Sequence, residues 1–259
     1  MLQRAFIQED GHGRMEPEMR ALRDALQARG VPTELFTPKR LERRQLPIAR
    51  DTLVAGYVPT VLGALKQLGI DPPPTNDYPA CLAPFLHRRM WPSTVRQLTD
   101  TLFELSSPPV FAKPVGRRKR FTGQVFRTSD DLLYLERASG STPLNCSEVV
   151  RWLGEYRVFV VRGTLVGVRH YAGDAAVPVD EATVREAVRL LESSGEATAG
   201  YGVDFGVLAT GQTALVEWND GFSLGSYGLE REHYADLTVA RWCELTGVTG
   251  ATPQGPRAP

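Results

Sequence analysis

Residues 5–68 alternate short apolar segments with amphipathic ones, and this alternation restricts the fold more than any other feature of the chain. The first amphipathic segment carries Met19, Leu22 and Leu26 at helical spacing and stops at Gly30, as a helix would. Predicted strands cover 5–8, 34–36 and 52–55, and predicted helices cover 18–29, 39–45 and 58–68. A strand–helix repeat of this kind predicts a small parallel sheet covered by helices.

A proline-rich stretch at 71–79 ends this pattern and indicates a domain boundary. Strands rich in Val, Phe and Tyr are predicted at 110–112, 123–127, 144–150, 157–161, 164–171, 199–208 and 213–218, and helices at 93–105, 181–193 and 234–247. We therefore predict an α/β (α+β) protein: a small N-terminal parallel α/β domain (1–76), then a domain with largely antiparallel sheets (77–249). The tail, 250–259, has almost nothing to bury and is predicted to be disordered.

The composition argues against several classes of partner. Thirty Lys and Arg balance thirty Asp and Glu, so no overall field draws the chain to nucleic acid or to an anionic membrane. No stretch approaches the ~18 apolar residues of a membrane-spanning helix, and the start lacks the apolar core of a signal peptide. Cys81, Cys146 and Cys243 have no metal or redox spacing, which fits reduced, buried thiols. These features predict a cytoplasmic monomer or homodimer.

Two acidic strands near the C-terminus are the most informative segment for function. A turn centred on Thr210 and Gly211 would place Asp204 opposite Glu217, and Asn219 would share the face of Glu217. Opposed carboxylates in an apolar hairpin repel each other unless a hard cation neutralises them, and Mg²⁺ binds such oxygens while keeping positions for phosphate. The three side chains are therefore predicted metal ligands. The alternative is a solvated polar face of a surface hairpin.

A lysine precedes a run of basic residues in the middle of the chain. Lys113 ends a predicted buried strand, and Arg117, Arg118, Lys119 and Arg120 follow in a loop that lies between two glycines. Such a loop can fold over phosphates, and Lys113 would add a positive charge. An exposed hairpin tip or an RNA-binding patch is the alternative for the loop. Beside a metal site, phosphate contact by Lys113, Arg117 and Lys119 is the favoured interpretation.

Taken in chain order, these residues resemble the signature of the ATP-grasp superfamily, and the resemblance covers residues 110–228. In that family a strand lysine contacts the ATP phosphates, which is matched here by Lys113. A hinge strand holds adenine through its backbone, and an acid further along binds the ribose hydroxyls. The segment from Glu148 through Val150 to Glu155 reproduces that spacing.

The metal motif of the ATP-grasp family is an Asp on one strand and Glu-x-Asn on the next. Asp204, Glu217 and Asn219 match it. The N-terminal β-α-β series is similar to the domain that precedes the ATP-grasp core, and the glycine-rich segment 222–228 is similar to the loop that closes on the acceptor substrate. The alternative for this segment is a plain connection to the last helix.

Two departures from the family pattern leave charges to be supplied elsewhere. The upstream basic residue that contacts the nucleotide has no close match, and Arg88 or Arg89 would replace it. Gly202 stands where an arginine often precedes the metal-binding Asp. Arg157 and Arg169 lie on predicted strands after the hinge, and they are the candidate catalytic residues that contact the transferred phosphate. The alternative is that these strand arginines face solvent.

The resemblance implies an ATP- and Mg²⁺-dependent ligase that forms an amide through an acyl phosphate and releases ADP and phosphate. Its partners would be small-molecule or peptide carboxylates and amines. Two alternatives are an ATP-grasp kinase and an ATP-binding regulatory module without turnover.

Overall fold

Three β-sheets organise the chain in the computed structural model, which describes residues 2–103, 107–116, 121–136 and 138–249. The strands are β1 (Arg4–Gln8), β2 (Thr33–Phe36), β3 (Thr52–Ala55), β4 (Met90–Thr94), β5 (Val110–Pro114), β6 (Gln124–Phe126), β7 (Pro143–Glu148), β8 (Trp152–Val161), β9 (Thr164–Gly173), β10 (Gly200–Leu208) and β11 (Thr213–Asp220). The α-helices are α1 (Pro17–Ala28), α2 (Pro38–Glu42), α3 (Val58–Gln67), α4 (Val95–Leu102), α5 (Glu181–Ser194) and α6 (Arg231–Thr246). Short 3₁₀ helices cover Ala80–Phe85, Ser129–Leu135 and Gly221–Ser223. The predicted phosphate-binding residues Arg117 and Lys119 and the predicted tail, 250–259, lie outside the described residues.

The N-terminal sheet is parallel, with strand order β2-β1-β3. Ala5, Phe6 and Ile7 in its central strand are all fully buried, as expected of a parallel strand covered on both faces by helices. The predicted parallel α/β unit is confirmed. Its helices differ from the prediction mainly at their ends, where α2 is shorter than the predicted 39–45.

The second sheet is antiparallel, with order β4-β7-β5-β6. The sequence did not predict β4, and the predicted helix 93–105 begins too early. Pro92 cannot donate a ladder hydrogen bond, but β4 is an edge strand, where proline is tolerated. The side chain of Thr94 then caps α4 by accepting a hydrogen bond from the backbone N–H of Gln97.

The third sheet is antiparallel, with order β11-β10-β8-β9. On β10, Tyr201, Val203 and Phe205 are buried in the hydrophobic cluster that also contains the apolar residues of α5. The opposite face of β10 carries Gly202, Asp204 and Gly206, so Asp204 is flanked by glycines on that face. Missing side chains at the two glycines leave room above the sheet for side chains from β8.

Helix α6 packs against α1 and shares the core of the N-terminal sheet. Tyr234, Leu237 and Trp242 of α6 are buried in the same cluster as Phe6 and Leu22. The C-terminal helix therefore covers the N-terminal unit, although the division at 76/77 stays a prediction. Among the described residues, no helix has both the length and the apolar character needed to cross a membrane.

Candidate functional site

The hairpin of β10 and β11 brings the predicted metal ligands together. Asp204 pairs with Glu217 and Gly202 with Asn219, as the sequence predicted. The register changes between Asp204 and Phe205, because a bulge makes Phe205 pair with Leu215. The predicted turn geometry was therefore wrong by one residue near the turn, and the bulge restores the predicted pairing at the acidic residues.

Asp204 is bound by an arginine from the neighbouring strand. Arg157 on β8 pairs with Asp204, and its Nε and Nη2 donate to Oδ1 and Oδ2, each at 2.7 Å. The two side chains are 8% and 3% exposed, respectively. Burial alone would lower the pKa of Arg157, but the hydrogen bonds and charge of Asp204 outweigh burial and raise its pKa. Asn219 Nδ2 donates to Asp204 Oδ2 at 3.2 Å, which adds a further contact to the pair.

Glu217 is bound by a lysine from the second sheet. Lys113 at the end of β5 places its Nζ 2.6 Å from Glu217 Oε2 and 2.7 Å from Asp77 Oδ2. Its Nζ also lies 5.3 Å from the ring centroid of Tyr78. Burial would lower the pKa of Lys113, but Glu217, Tyr78 and Asp77 outweigh it and raise the pKa.

These contacts correct one step of the sequence argument. Asp204 and Glu217 were expected to repel each other in the absence of a metal ion. Instead, Arg157 and Lys113 each provide a counter-charge for one of the two carboxylates.

Glu155, the predicted ribose acid, also faces this site. It pairs with Gly206, and Tyr171 Oη donates to its Oε2 at 3.1 Å. Burial is the main cause of a raised pKa at Glu155, and the negative charges of Asp204 and Glu217 raise it further. The structure therefore brings Glu155 near the predicted metal ligands.

The predicted hinge joins the two antiparallel sheets. Glu148 ends β7, is about half exposed and forms an ion pair with Arg89 at 3.5 Å. Val150 lies in the connection to β8 and not in a strand, so the predicted strand 144–150 is two residues too long. The strand ends there because the chain leaves one sheet and enters the next.

Arg169 extends the charged row across the third sheet. It pairs with Arg157, so Glu217, Asp204, Arg157 and Arg169 lie side by side on β11, β10, β8 and β9. Arg169 donates to the carbonyl oxygen of Gly228 at 3.2 Å and pairs with Glu230 at 2.5 Å. Its contacts hold the end of the glycine-rich segment.

The glycine-rich segment 222–228 lies against the N-terminal sheet and over the charged row. Ser223 Oγ donates to the carbonyl oxygen of Gly56, just after β3, at 2.8 Å. The ring of Tyr227 stacks on Tyr171 at 5.0 Å and lies 5.0 Å from the guanidinium carbon of Arg157. Tyr227 is 44% exposed, so this aromatic contact borders solvent.

Arg88, one of the two suggested replacements for the upstream basic residue, has a different set of contacts. It donates to the carbonyl oxygens of Leu215 at 2.5 Å and Val216 at 3.2 Å, on both sides of the bulge. Its guanidinium carbon lies 5.4 Å from the ring centroid of Trp152. These contacts hold the bulge in place and leave Arg88 engaged with the protein backbone.

The sequence reasoning missed two site residues, Asp77 and Tyr171. Asp77 belongs to the proline-rich stretch, which was interpreted only as a boundary, and Tyr171 was seen only as the end of a strand. The strand period offered a signal for Tyr171, because it lies two residues from Arg169 and so shares its face.

Comparison with known proteins places this site in a family. Residues 85–237 match a family model whose description is an ATP-grasp domain, the second family of its clade, and this match is more than half of the chain. The chain belongs to the ATP-grasp family. The predicted superfamily is thereby confirmed. No curated protein is significantly similar to the chain.

Solved ATP-grasp structures share the fold at low sequence identity. D-cycloserine synthetase DcsG is 13% identical with a TM-score of 0.54, covering 93% of this chain and 99% of that one. The RimK domain protein from Sphaerobacter thermophilus DSM 20745 is 20% identical with a TM-score of 0.52, covering 91% and 99%. The ligase PsnB, complexed with a phosphomimetic variant of its minimal precursor, Mg and ADP, is 14% identical with a TM-score of 0.50, covering 93% and 100%.

The donor set of this ATP-grasp site fits a metal that arrives with phosphate. Among the described residues, no three His, Cys, Asp or Glu side chains form a group that could hold a metal ion. The carboxyl groups of Asp77, Glu155, Asp204 and Glu217 nevertheless outnumber the basic groups of Lys113 and Arg157. Mg²⁺ is commonly bound by one or two carboxylates together with substrate phosphates. An acidic excess of this kind suits that mode of binding.

Proposed function

We propose that this ATP-grasp protein is an ATP- and Mg²⁺-dependent ligase that forms an amide bond between a carboxylate and an amine. The observation that carries the proposal is the row of Glu217, Asp204 and Arg157 on one sheet, with Lys113 reaching Glu217 from the other. Positive and negative groups there alternate within hydrogen-bond distance, in a largely buried cleft. Such an arrangement can bind a phosphate and its metal at the same point.

Asp204, Glu217 and Asn219 would hold the metal, which when bound would withdraw charge from the phosphate oxygens. Lys113 would bind the same phosphate as a point charge. Both metal carboxylates already have basic partners. Binding therefore exchanges existing ion pairs for new ones.

Arg157 and Arg169 are the proposed catalytic residues. The γ-phosphoryl group would pass from ATP to an oxygen of the substrate carboxylate, and ADP would leave. The amine would then attack the acyl carbon, phosphate would leave and the amine would lose a proton. Arg157 would stabilise negative charge on the transferred group, since its guanidinium is fixed by Asp204 and covered by Tyr227. Arg169, beside Arg157 on the next strand, would bind the acceptor carboxylate.

The nucleoside would lie along the hinge. Glu148 and Val150 border the connection between the two sheets, where backbone groups are available for adenine. Glu155 would bind the ribose hydroxyls, and Arg117 and Lys119 would contact the phosphates.

The proposed substrates are a small-molecule or peptide carboxylate and an amine, in the cytoplasm. PsnB, with the same fold, was solved with a precursor variant, Mg and ADP. The face above Arg157 and Tyr227 is bordered by solvent, so the end of a larger molecule could reach it.

Coupled turnover would test the proposed function. ADP release is measured with pooled carboxylates, with pooled amines and peptides, and with both together, using Glu217→Gln as the inactive control. We expect ADP only when both pools are present. ADP with a single pool and a stable phosphorylated product would instead indicate a kinase, and binding of ATP without ADP under all conditions would indicate a module without turnover.

A further inference from the structure

Asp77 contacts the site from outside the segment that matches the family. It lies in the proline-rich stretch, before residue 85 where the match begins. Its Oδ2 is 2.7 Å from Lys113 Nζ, and its carbonyl oxygen accepts a hydrogen bond from the backbone N–H of Trp218 at 2.8 Å. Trp218 stands between Glu217 and Asn219. The linker is therefore fastened both to the metal strand and to the phosphate lysine.

Lys113 has two carboxylates at nearly equal distances, and its side chain is only 10% exposed. Glu217 is also a proposed metal ligand, so a bound metal ion would compete with Lys113 for its oxygens. A buried ammonium group that loses its counter-charge is strongly disfavoured. Without a second carboxylate, Lys113 would therefore resist the transfer of Glu217 to the metal.

We propose that Asp77 is a positioning residue of the nucleotide site. It is the lasting counter-ion of Lys113, and it thereby releases Glu217 to the metal when Mg²⁺ and ATP bind. The inference rests on the proposed function, because it assumes that Glu217 binds the metal of a bound nucleotide. It assigns a distinct role to each of the two carboxylates that contact Lys113.

A purely structural role is the competing explanation. Asp77 could act only through its carbonyl oxygen, which accepts from Trp218. Asp77→Asn keeps this backbone contact and the shape of the side chain and removes only the charge, so it separates the two roles. Asp77→Glu restores the charge, and Asp71→Asn removes a charge from an exposed position in the same linker.

Binding of a nonhydrolysable ATP analogue, measured by calorimetry with Mg²⁺ and with a chelator, tests the inference without turnover. The quantity of interest is the ratio of the two affinities. In Asp77→Asn, Lys113 and Mg²⁺ must share Glu217, so we expect the gain from Mg²⁺ to fall about tenfold, while affinity without Mg²⁺ is kept or raised. Asp77→Glu should regain most of the wild-type ratio, and Asp71→Asn should match the wild type.

A second measurement uses coupling between the two carboxylates. If Asp77 acts through Glu217, adding Asp77→Asn to Glu217→Gln should lower the Mg²⁺ gain little further. The result that would overturn the inference is a wild-type protein with Mg²⁺-dependent binding and an Asp77→Asn variant whose ratio stays within about twofold of it. Absence of nucleotide binding by the wild type would overturn the proposed function itself. The same ratio is read with Asp77→Ser if Asp77→Asn does not fold.

Discussion

Glu217→Gln separates the stability of the free protein from its binding of metal and nucleotide. In the free protein the change removes one ion pair, between side chains that are 29% and 10% exposed, while Lys113 keeps Asp77 at 2.7 Å. Because the lysine is not left unpaired, the cost should resemble that of a partly exposed pair, about 1 kcal/mol at most. For a chain of this size that is about 2–4 °C in Tm.

The ligand effect should be larger. A nucleotide present at about 100 times its Kd stabilises the wild type by about 2.7 kcal/mol, or about 5–11 °C. Loss of a charged contact worth about 1.5–3 kcal/mol would weaken binding roughly 10- to 150-fold. At the same ligand concentration the stabilisation would then fall to about 0.3–1.4 kcal/mol.

Thermal unfolding with and without Mg²⁺ and a nonhydrolysable ATP analogue measures both effects. Glu186→Gln is the matched control, since it removes an exposed carboxylate that pairs with Arg189 on α5, outside the charged row of the site. It should keep the full wild-type response. A Glu217→Gln variant with an undiminished Mg²⁺-dependent shift would refute the assignment of Glu217 to the metal.

Three further changes test neighbouring contacts. Lys113→Ala should weaken binding of the ATP analogue by about 1.5–3 kcal/mol in calorimetry, and wild-type affinity would remove Lys113 from the site. Arg157→Met leaves the buried carboxylate of Asp204 unpaired and should lower the free energy of unfolding in urea by about 3–5 kcal/mol; a loss under about 1 kcal/mol would show that the pair is unimportant. Glu155 has a raised pKa in the folded state, so its charge costs stability as pH rises through and above its ordinary value of 4.5. Glu155→Gln should therefore be at least as stable as the wild type in urea at pH 7, and the difference should vanish well below pH 4.5; a variant less stable than the wild type at pH 7 would contradict this sign.

The sequence predicted the charged pairing on the hairpin because strand alternation and a glycine turn restrict which residues can face each other. Asp204 and Glu217 are paired as expected. The bulge was not predictable, since it depends on Arg88 reaching the carbonyl oxygens of Leu215 and Val216 from a distant part of the chain.

Contacts between distant segments account for the other misses. Nothing local in the proline-rich stretch indicates that Asp77 reaches Lys113, because that contact depends on how the linker crosses the second and third sheets. Strand β4 was missed for a related reason. Pro92 is unfavourable within a sheet, and only the tertiary position of β4 at an edge makes it acceptable.

The bulge in β11 gives deletions on the two sides of the hairpin very different consequences. Leu215 faces the core with Phe205, yet Glu217, two residues later, faces the site with Asp204, because Val216 adds one residue to the strand. Shortening the exposed turn at 209–212 changes only the loop. Deleting Val216 would instead invert the facing of everything beyond it, and Glu217 and Asn219 could not share the site face while Leu215 stayed in the core. Among related chains, a gap in the turn is thus compatible with a working site, whereas a gap between Leu215 and Glu217 is a mark of its loss.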